Sequence, residues 1–335
     1  MIKKRSTILI ILFIFTTIAY FYNQIGPYDK KSIDEVIVKI PKGSSVYEVA
    51  DILFENHLIK SKLFFVNLSR ITNKDKNIKA GTYKIPQYFS NKEILELLNS
   101  GKIYKDFIIV TIPEGFELKQ IAQRLEQQGL VDKNKFIDLA NDVDNFKREF
   151  DFLNEEGITS LEGYLFPDTY YLEKTFSEEA IIRLMLRRFS EVYNKEIRQR
   201  QKELGLSLNE LITLSSIIER EAKLDNERAL ISAVFHNRMK IDMPLQSCAT
   251  VQYVIGERKA ILSNSDIQID SPYNTYKNKG LPPGPIASPG EASIKAALYP
   301  ADVDYLYFVA KKDGSHSFAT NYNDHLKNRR ENLGR

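Results

Sequence analysis

This chain is poor in the residues that most familiar catalytic and structural devices require. Its 335 residues include one cysteine, Cys248, which excludes an intramolecular disulfide and any site built from several thiolates. Four histidines, His57, His236, His316 and His325, are scattered, with no HExxH spacing and no grouping that would hold a metal. Charge of one sign is also lacking. The 47 Lys and Arg against 44 Asp and Glu leave +3, too little to argue for nucleic acid or an acidic surface as partner. Neither a metal nor a cofactor is expected. What remains is an ordinary globular composition, 43% hydrophobic and 27% charged, in a chain long enough for two or three domains.

One long apolar run is present. Lys3, Lys4 and Arg5 precede STILIILFIFTTIAYFY, from Ser6 to Tyr22. As a helix it spans about 25 Å, a little short of a hydrocarbon core of about 30 Å. Tyr20, Phe21 and Tyr22 would sit at the far interface. Thr17-Ile18-Ala19 is followed by more aromatics, so no good signal-peptide cleavage site is present. The expectation is an uncleaved single-pass anchor at 6–24, with a cytoplasmic tail at 1–5 and everything beyond the linker 25–34 outside the inner leaflet.

A gapless repeat follows. Ile40-Pro41-Lys42-Gly43 matches Ile112-Pro113-Glu114-Gly115, and the same offset of 72 (113 − 41) aligns Ala50 with Ala122, Leu53 with Leu125 and Phe64 with Phe136. Each copy reads as a strand (VIVKI, IIVTI), a Pro/Gly turn and an amphipathic helix. Two copies suggest small βα modules, not a solenoid. The segment around Gly81–Ile85 reads as a further strand and Asn91–Asn99 as a short helix. The divisions are a module at 35–102, a second βα repeat at 103–140, a helical connecting region at 141–205 and an α+β domain at 206–335. The connecting region reads as mostly helical and is interrupted by EGYLFPDTY, Glu162–Tyr170. Its aromatics fit a packed turn and the wall of a sugar groove equally well.

Glu219 is the residue that local pattern makes conspicuous. Leu208–Lys223 reads as a helix on which Leu208, Leu211, Ile212, Ser215, Ile218, Glu219 and Ala222 share one arc. Glu210 and Glu221 point to the opposite, wet side. A carboxyl among apolar residues is costly when charged, and one that keeps its proton near neutral pH can act as a general acid. The plain alternative is an edge residue whose head reaches solvent or Lys223 at i+4. A second helix follows, with Asp225 as N-cap and Asn237 facing inward. The loop GLPPGPIASPG, Gly280–Gly290, is stiffened by proline and suits the rim of a site. Asp304–Ala310 alternates like a strand, and Asp313-Gly314 turns it into His316–Thr320.

The strings SIIEREA at 216–222, Phe235-His236-Asn237-Arg238, Leu245-Gln246-Ser247, Tyr273-Asn274-Thr275-Tyr276, GLPPGPIASPG, EGYLFPDTY and KAGTYKIP together resemble the endolytic murein transglycosylase family. The resemblance covers nearly the whole chain. It implies an N-terminal transmembrane helix, a LysM-like module and an α+β catalytic domain on the extracytoplasmic side of the cell membrane. It further implies cleavage of the β-1,4 bond between N-acetylmuramic acid and N-acetylglucosamine within peptidoglycan strands, the muramic C6 hydroxyl attacking its own C1 to leave a 1,6-anhydro end. Glu219 matches the family's catalytic glutamate, first protonating the leaving oxygen and then accepting the C6 hydroxyl proton. That answers a difficulty in the residues themselves, because most glycosidases need two carboxylates and Glu219 and Glu221 diverge.

Gln246, Asn274 and Tyr276 are the candidates for orienting sugar hydroxyls and N-acetyl groups, while Asn237 and Arg238 either join them or brace the helix. Where many relatives carry an aspartate after LQ[ST], this chain has Cys248, expected as a small buried apolar residue. Nothing suggests a pyridoxal-phosphate lysine. Three competing readings are a non-catalytic glycan-binding protein, a scaffold for peptidoglycan synthases, and a hydrolase using Asp270 or Glu162 as its base.

Overall fold

The computed structural model describes residues 15, 16, 20, 22–104, 107–259 and 261–333. The segment 6–24 read as an anchor lies outside these except at positions 15, 16, 20 and 22–24. Among the described residues no helix is long and apolar enough to cross a membrane. The chain divides into two compact units, 1–106 and 107–335.

In the first unit, β1 (Glu35–Ile40) pairs antiparallel with β2 (Gly81–Pro86), Val38 lying opposite Tyr83. Two helices, α1 (Val46–Glu55) and α2 (Lys62–Ile71), lie between the strands in sequence, and α3 (Asn91–Ser100) follows. The helix starts are written locally. Ser45 and Glu48 form a capping box on α1, Ser90 and Glu93 another on α3, and Ser61 caps α2. Alternation in β1 sends Val38 and Ile40 to one face, where they meet Val49, Ala50 and Leu53 of α1, Phe65 of α2 and Leu95 of α3. Tyr83 is buried there, and its hydroxyl donates to Lys79 O at 2.8 Å, so its polar tip is satisfied.

The second unit begins with the same order: β3 (Phe107–Thr111), a Pro/Gly turn, α4 (Leu118–Gln127) and α5 (Lys133–Asn141). Its second strand, β4 (Thr169–Glu173), pairs antiparallel with β3, Val110 opposite Tyr170. This strand corrects the helical reading of the connecting region. Five residues of alternating burial carry little local signal, and the partner that stabilises them lies far back in sequence.

Next come α6 (Glu178–Val192), α7 (Lys195–Glu203), α8 (Leu208–Glu221), α9 (Arg228–Lys240), α10 (Cys248–Ile255) and α11 (Glu291–Leu298). A short hairpin of β5 (Tyr307–Ala310) and β6 (His316–Ala319) and the helix α12 (Tyr322–Leu333) close the unit. The hairpin starts later than the alternation from Asp304 suggested. Asp225 is not a helix N-cap; it opens a 3-10 turn, Asp225–Glu227, and bonds Arg228 instead.

The helix α8 is central: every residue from Leu211 to Ile218 is buried, so it is apolar nearly all round and not on a single arc. The GLPPGPIASPG segment runs beside it as a largely buried strap. It is tied at three points of the helix: Asn209 Nδ2 donates to Pro283 O (2.8 Å), Ile286 N to Ser216 Oγ (3.0 Å) and Gly290 N to Glu219 Oε2 (3.1 Å). EGYLFPDTY packs against the strap. Tyr164, Phe166 and Tyr170 are core residues, which decides for the packed turn over the groove wall.

Gly163 sits at φ +82°, and a Cβ there would lie 2.5 Å from Pro285 Cβ and 3.1 Å from Ile212 Cγ2. Gly163→Ala is therefore expected to cost about 2–4 kcal/mol from left-handed backbone strain and overpacking together, read as a lower denaturant midpoint.

Candidate active site

Four pieces of the second unit meet at Glu219. It lies in the last turn of α8, and its side chain is only 7% exposed. Helical phase placed it among apolar residues, but the surroundings are polar. Arg228 Nη1 donates to Glu219 Oε1 at 3.2 Å, and Gly290 N and Ser293 Oγ donate to Oε2 at 3.1 and 2.8 Å. Arg228 Nη1 also donates to Ser293 Oγ at 2.8 Å, which directs the serine proton at the carboxylate. Only donors face Glu219 in this set. Gly290 and Ser293 bring the start of α11, whose exposed N–H groups and dipole favour a carboxylate there.

Arg228 opens α9, the end where a cation is least at ease with the helix dipole. Its acidic neighbours account for its place. Besides Glu219 it bonds Asp225 Oδ1 at 3.2 Å and lies 4.0 Å from Glu114 Oε2. Glu114 belongs to the turn between β3 and α4. That turn is bonded to the strap through Gly115 N to Ser288 O and Ser288 N to Phe116 O, both 2.8 Å, and to α8 through Arg220 Nη1 and Glu117 Oε1 at 2.9 Å. The Glu114 carboxyl rests on Gly290 so closely that a Cβ built there would lie 1.9 Å from its Oε1. Half of its side chain remains exposed, so it forms the wet edge of the cluster. Burial raises its pKa above the usual carboxylate range. The neighbouring Glu219 adds to this, Arg228 opposes it, and Asp225 adds a little more.

The other predicted site residues are distributed differently. Gln246 is exposed, and its backbone is left-handed at φ 50°, fixed by Gln246 N donating to Thr275 O at 3.0 Å. Tyr276 is half-buried, its hydroxyl 3.0 Å from Cys248 Sγ. Cys248 is exposed, not buried as expected, because it begins α10 on the open side of the chain. Glu221 is half-buried and accepts a hydrogen bond from Ser247 Oγ, so it does not simply face water.

Asn274 is fully buried. Its amide donates to Ile267 O (3.0 Å) and Ile269 O (2.8 Å), and its oxygen accepts from Tyr276 N (3.0 Å). It therefore shapes the loop carrying Tyr276 and presents no free group to a sugar. Asn237 and Arg238 brace: Asn237 Nδ2 donates to Val303 O (2.8 Å) and Tyr305 O (3.1 Å), and Arg238 to Leu306 O and Leu245 O, both 2.7 Å.

Neither carboxylate suggested as a distant base faces Glu219 in these contacts. Asp270 is fully exposed beside Lys277. Glu162 is buried under the start of α4, accepting from Leu118 N at 3.0 Å, with the Tyr253 hydroxyl at 3.4 Å. Sequence reasoning missed Glu114, Arg228, Gly290 and Ser293. Two of these left a trace: an arginine at a helix start, and the change from Lys42 to Glu114 between the repeat copies. Among the described residues no group of His, Cys, Asp and Glu could hold a metal ion.

A mixed α+β unit whose central helix ends in a buried, ion-paired glutamate, with a second, half-exposed carboxyl beside it, has the makings of an enzyme that moves protons. The chain belongs to the YceG-like family, whose model matches residues 38–331. It is 37% identical over 324 residues to the endolytic murein transglycosylase of Bacillus subtilis (strain 168), covering 92% of this chain and 88% of that protein. It is 34% identical over 344 residues to the protein of the same name from Streptococcus pneumoniae (strain ATCC BAA-255 / R6), covering 94% of this chain but 61% of the streptococcal one. A crystal structure of a yceG-like protein from Listeria monocytogenes aligns with a TM-score of 0.61 at 36% identity, over 88% of this chain and 99% of that one.

Glu162 supplies a test of the packing beneath the site. Desolvation raises its pKa from 4.5 to about 8 despite the opposing bond from Leu118 N. The unfolded chain ionises near 4.5, so the stability linked to the protonated folded form is complete below that pH and is lost as pH rises to about 8. Glu162→Gln lacks this loss. Its stability relative to wild type is expected to improve by about 4–5 kcal/mol between pH 4 and pH 9, followed by thermal or urea unfolding.

Proposed function

We propose that this protein is an endolytic lytic transglycosylase of peptidoglycan with Glu219 as its acid/base. The observation that carries the assignment to Glu219 is its position: a buried carboxyl, oriented by Arg228, Ser293 and Gly290 N–H, where α8, α9, α11 and the Glu114 turn converge. Membership of a family whose named relatives are murein transglycosylases supplies the reaction.

In that reaction the bond between muramic C1 and the N-acetylglucosamine O4 breaks, and a bond from the muramic O6 to C1 forms. The C6 hydroxyl proton is lost and the leaving oxygen gains one, so protons balance without water. A side chain that passes a proton within the site is enough, and no water need be activated. Ser293 and Arg228 hold Glu219 in one orientation throughout, which keeps the proton transfers short.

The first unit fits a glycan-holding role. Its β1-α1-α2-β2 order, with two capped helices over a two-stranded sheet, is consistent with a LysM-like module, and such a module would keep a strand near the second unit. The basic N-terminus and apolar run at 6–24 support a single-pass anchor with both units on the extracytoplasmic side of the cell membrane. There the enzyme would meet nascent strands beside the synthases that make them.

The test uses the full-length protein in detergent with newly polymerised, uncrosslinked glycan strands. Product ends are read by mass spectrometry. Wild type should give ends one water lighter than a reducing sugar, and Glu219→Gln should lower their rate by at least about 100-fold. Reducing ends would make the protein a hydrolase. Cleavage undiminished in Glu219→Gln would remove Glu219 from the chemistry.

A further inference from the structure

The geometry points to Glu114 as the second catalytic carboxyl of this site, the acid that protonates the leaving oxygen while Glu219 takes the proton of the C6 hydroxyl. This rests on the transglycosylase reading and divides between two residues a task that a single glutamate could perform alone.

The two carboxyls share their supports. Arg228 reaches Glu219 Oε1 with Nη1 at 3.2 Å and Glu114 Oε2 with Nη2 at 4.0 Å. Gly290 donates its N–H to Glu219, while its bare Cα is covered by the Glu114 carboxyl. A side chain at position 290 would collide with Glu114, so a glycine here permits the two acids to approach. Their surroundings then separate them. Glu219 is buried and held in one orientation by three donors. Glu114 is half-exposed and receives no hydrogen bond among those described. Its charged neighbours are Glu219, Asp225 and Arg228. Burial, with Glu219 next in order, raises its pKa, so it holds a proton to higher pH than a free carboxyl does.

The chemistry suits adjacent, not opposed, carboxyls. The departing O4 and the arriving O6 bond muramic C1 from the same face, so the O4 bond breaks before the O6 bond forms and the groups that serve them stand side by side. Glu114 gives its proton to O4, Glu219 receives the proton of O6, and the cycle closes when Glu219 releases that proton and Glu114 takes one up from solvent. Every proton and bond is accounted for, and no water enters.

The experiment compares wild type, Glu114→Gln and Glu219→Gln, all full-length, on two substrates. One is the natural glycan strand. The other is a synthetic N-acetylglucosamine–N-acetylmuramic acid oligosaccharide carrying 4-nitrophenol at the scissile position, a leaving group that departs without protonation. Glu114→Gln is expected to lose about 100-fold or more on the strand but less than 10-fold on the nitrophenyl substrate. It should also lose the alkaline limb of the pH–rate profile, since an acid fails as pH rises through its pKa. Glu219→Gln should lose activity on both substrates. Equal loss of both by Glu114→Gln, with an unchanged melting temperature, would make Glu114 a positioning residue and overturn the proposal. So would wild-type activity on strands. If instead Glu219→Gln is fully active, the underlying reading fails, whatever Glu114 does.

Discussion

The second unit is organised around one buried ion pair. Glu219 and Arg228 are both nearly hidden from water, and burying either charge alone would cost several kcal/mol. Each is therefore hydrogen-bonded more than once. Arg228 answers Glu219, Ser293 and Asp225, and Glu219 answers Arg228, Ser293 and Gly290. Three helices must meet at fixed angles for this to hold: α8 delivers Glu219 at its end, α9 delivers Arg228 at its start, and α11 delivers Gly290 and Ser293 at its start. A cation at the head of α9 opposes the helix dipole, and that unfavourable placement is tolerated because acidic groups surround it. A structural protein gains little from such an arrangement that a leucine would not supply more cheaply.

The long motifs become intelligible as scaffolding for that pair. The proline-rich strap follows α8 from Asn209 to Ser216 to Glu219, so its rigidity fixes where Gly290 stands relative to the carboxylate. EGYLFPDTY supplies Gly163, whose missing side chain admits Pro285, and its aromatic rings fill the core beside the strap. The His316 hairpin is pinned in the same way: Glu227, one residue before Arg228, holds His316 by both its backbone N–H (3.0 Å) and its ring Nδ1 (2.7 Å). Thus the residues flanking the site in sequence hold the elements that flank it in space.

Local elements were readable because their signals are local. Apolar periodicity, Pro/Gly turns and alternating strands placed β1, β2, α1, α3 and α8 within a residue or two. What escaped depends on partners distant in sequence. β4 exists because β3 is there to pair with it. Asn274 reads as a sugar ligand until its amide is seen bonded to Ile267 O and Ile269 O, a fact about the loop's path that no pattern of residues encodes. Helical phase placed Glu219 among apolar residues, yet could not tell that its neighbours are polar, because Arg228, Ser293 and Gly290 arrive from other elements. A residue-pattern argument thus singled out this carboxyl while giving it an apolar setting that it does not have.

Two carboxyls of this unit hold their protons more strongly than usual, and the contrast between them shows why position must be weighed with pKa. Glu162 is raised furthest, but its carboxylate is buried and bonded to Leu118 N, away from the contacts of Glu219. Glu114 is raised in the same direction while half-exposed and sharing Arg228 and Gly290 with Glu219. At the matching turn the two repeat copies differ. In the first copy the same turn carries Lys42, exposed, before Gly43. In the second copy the turn is bonded to the strap at Ser288, and the side chain at the matching position lies against Gly290.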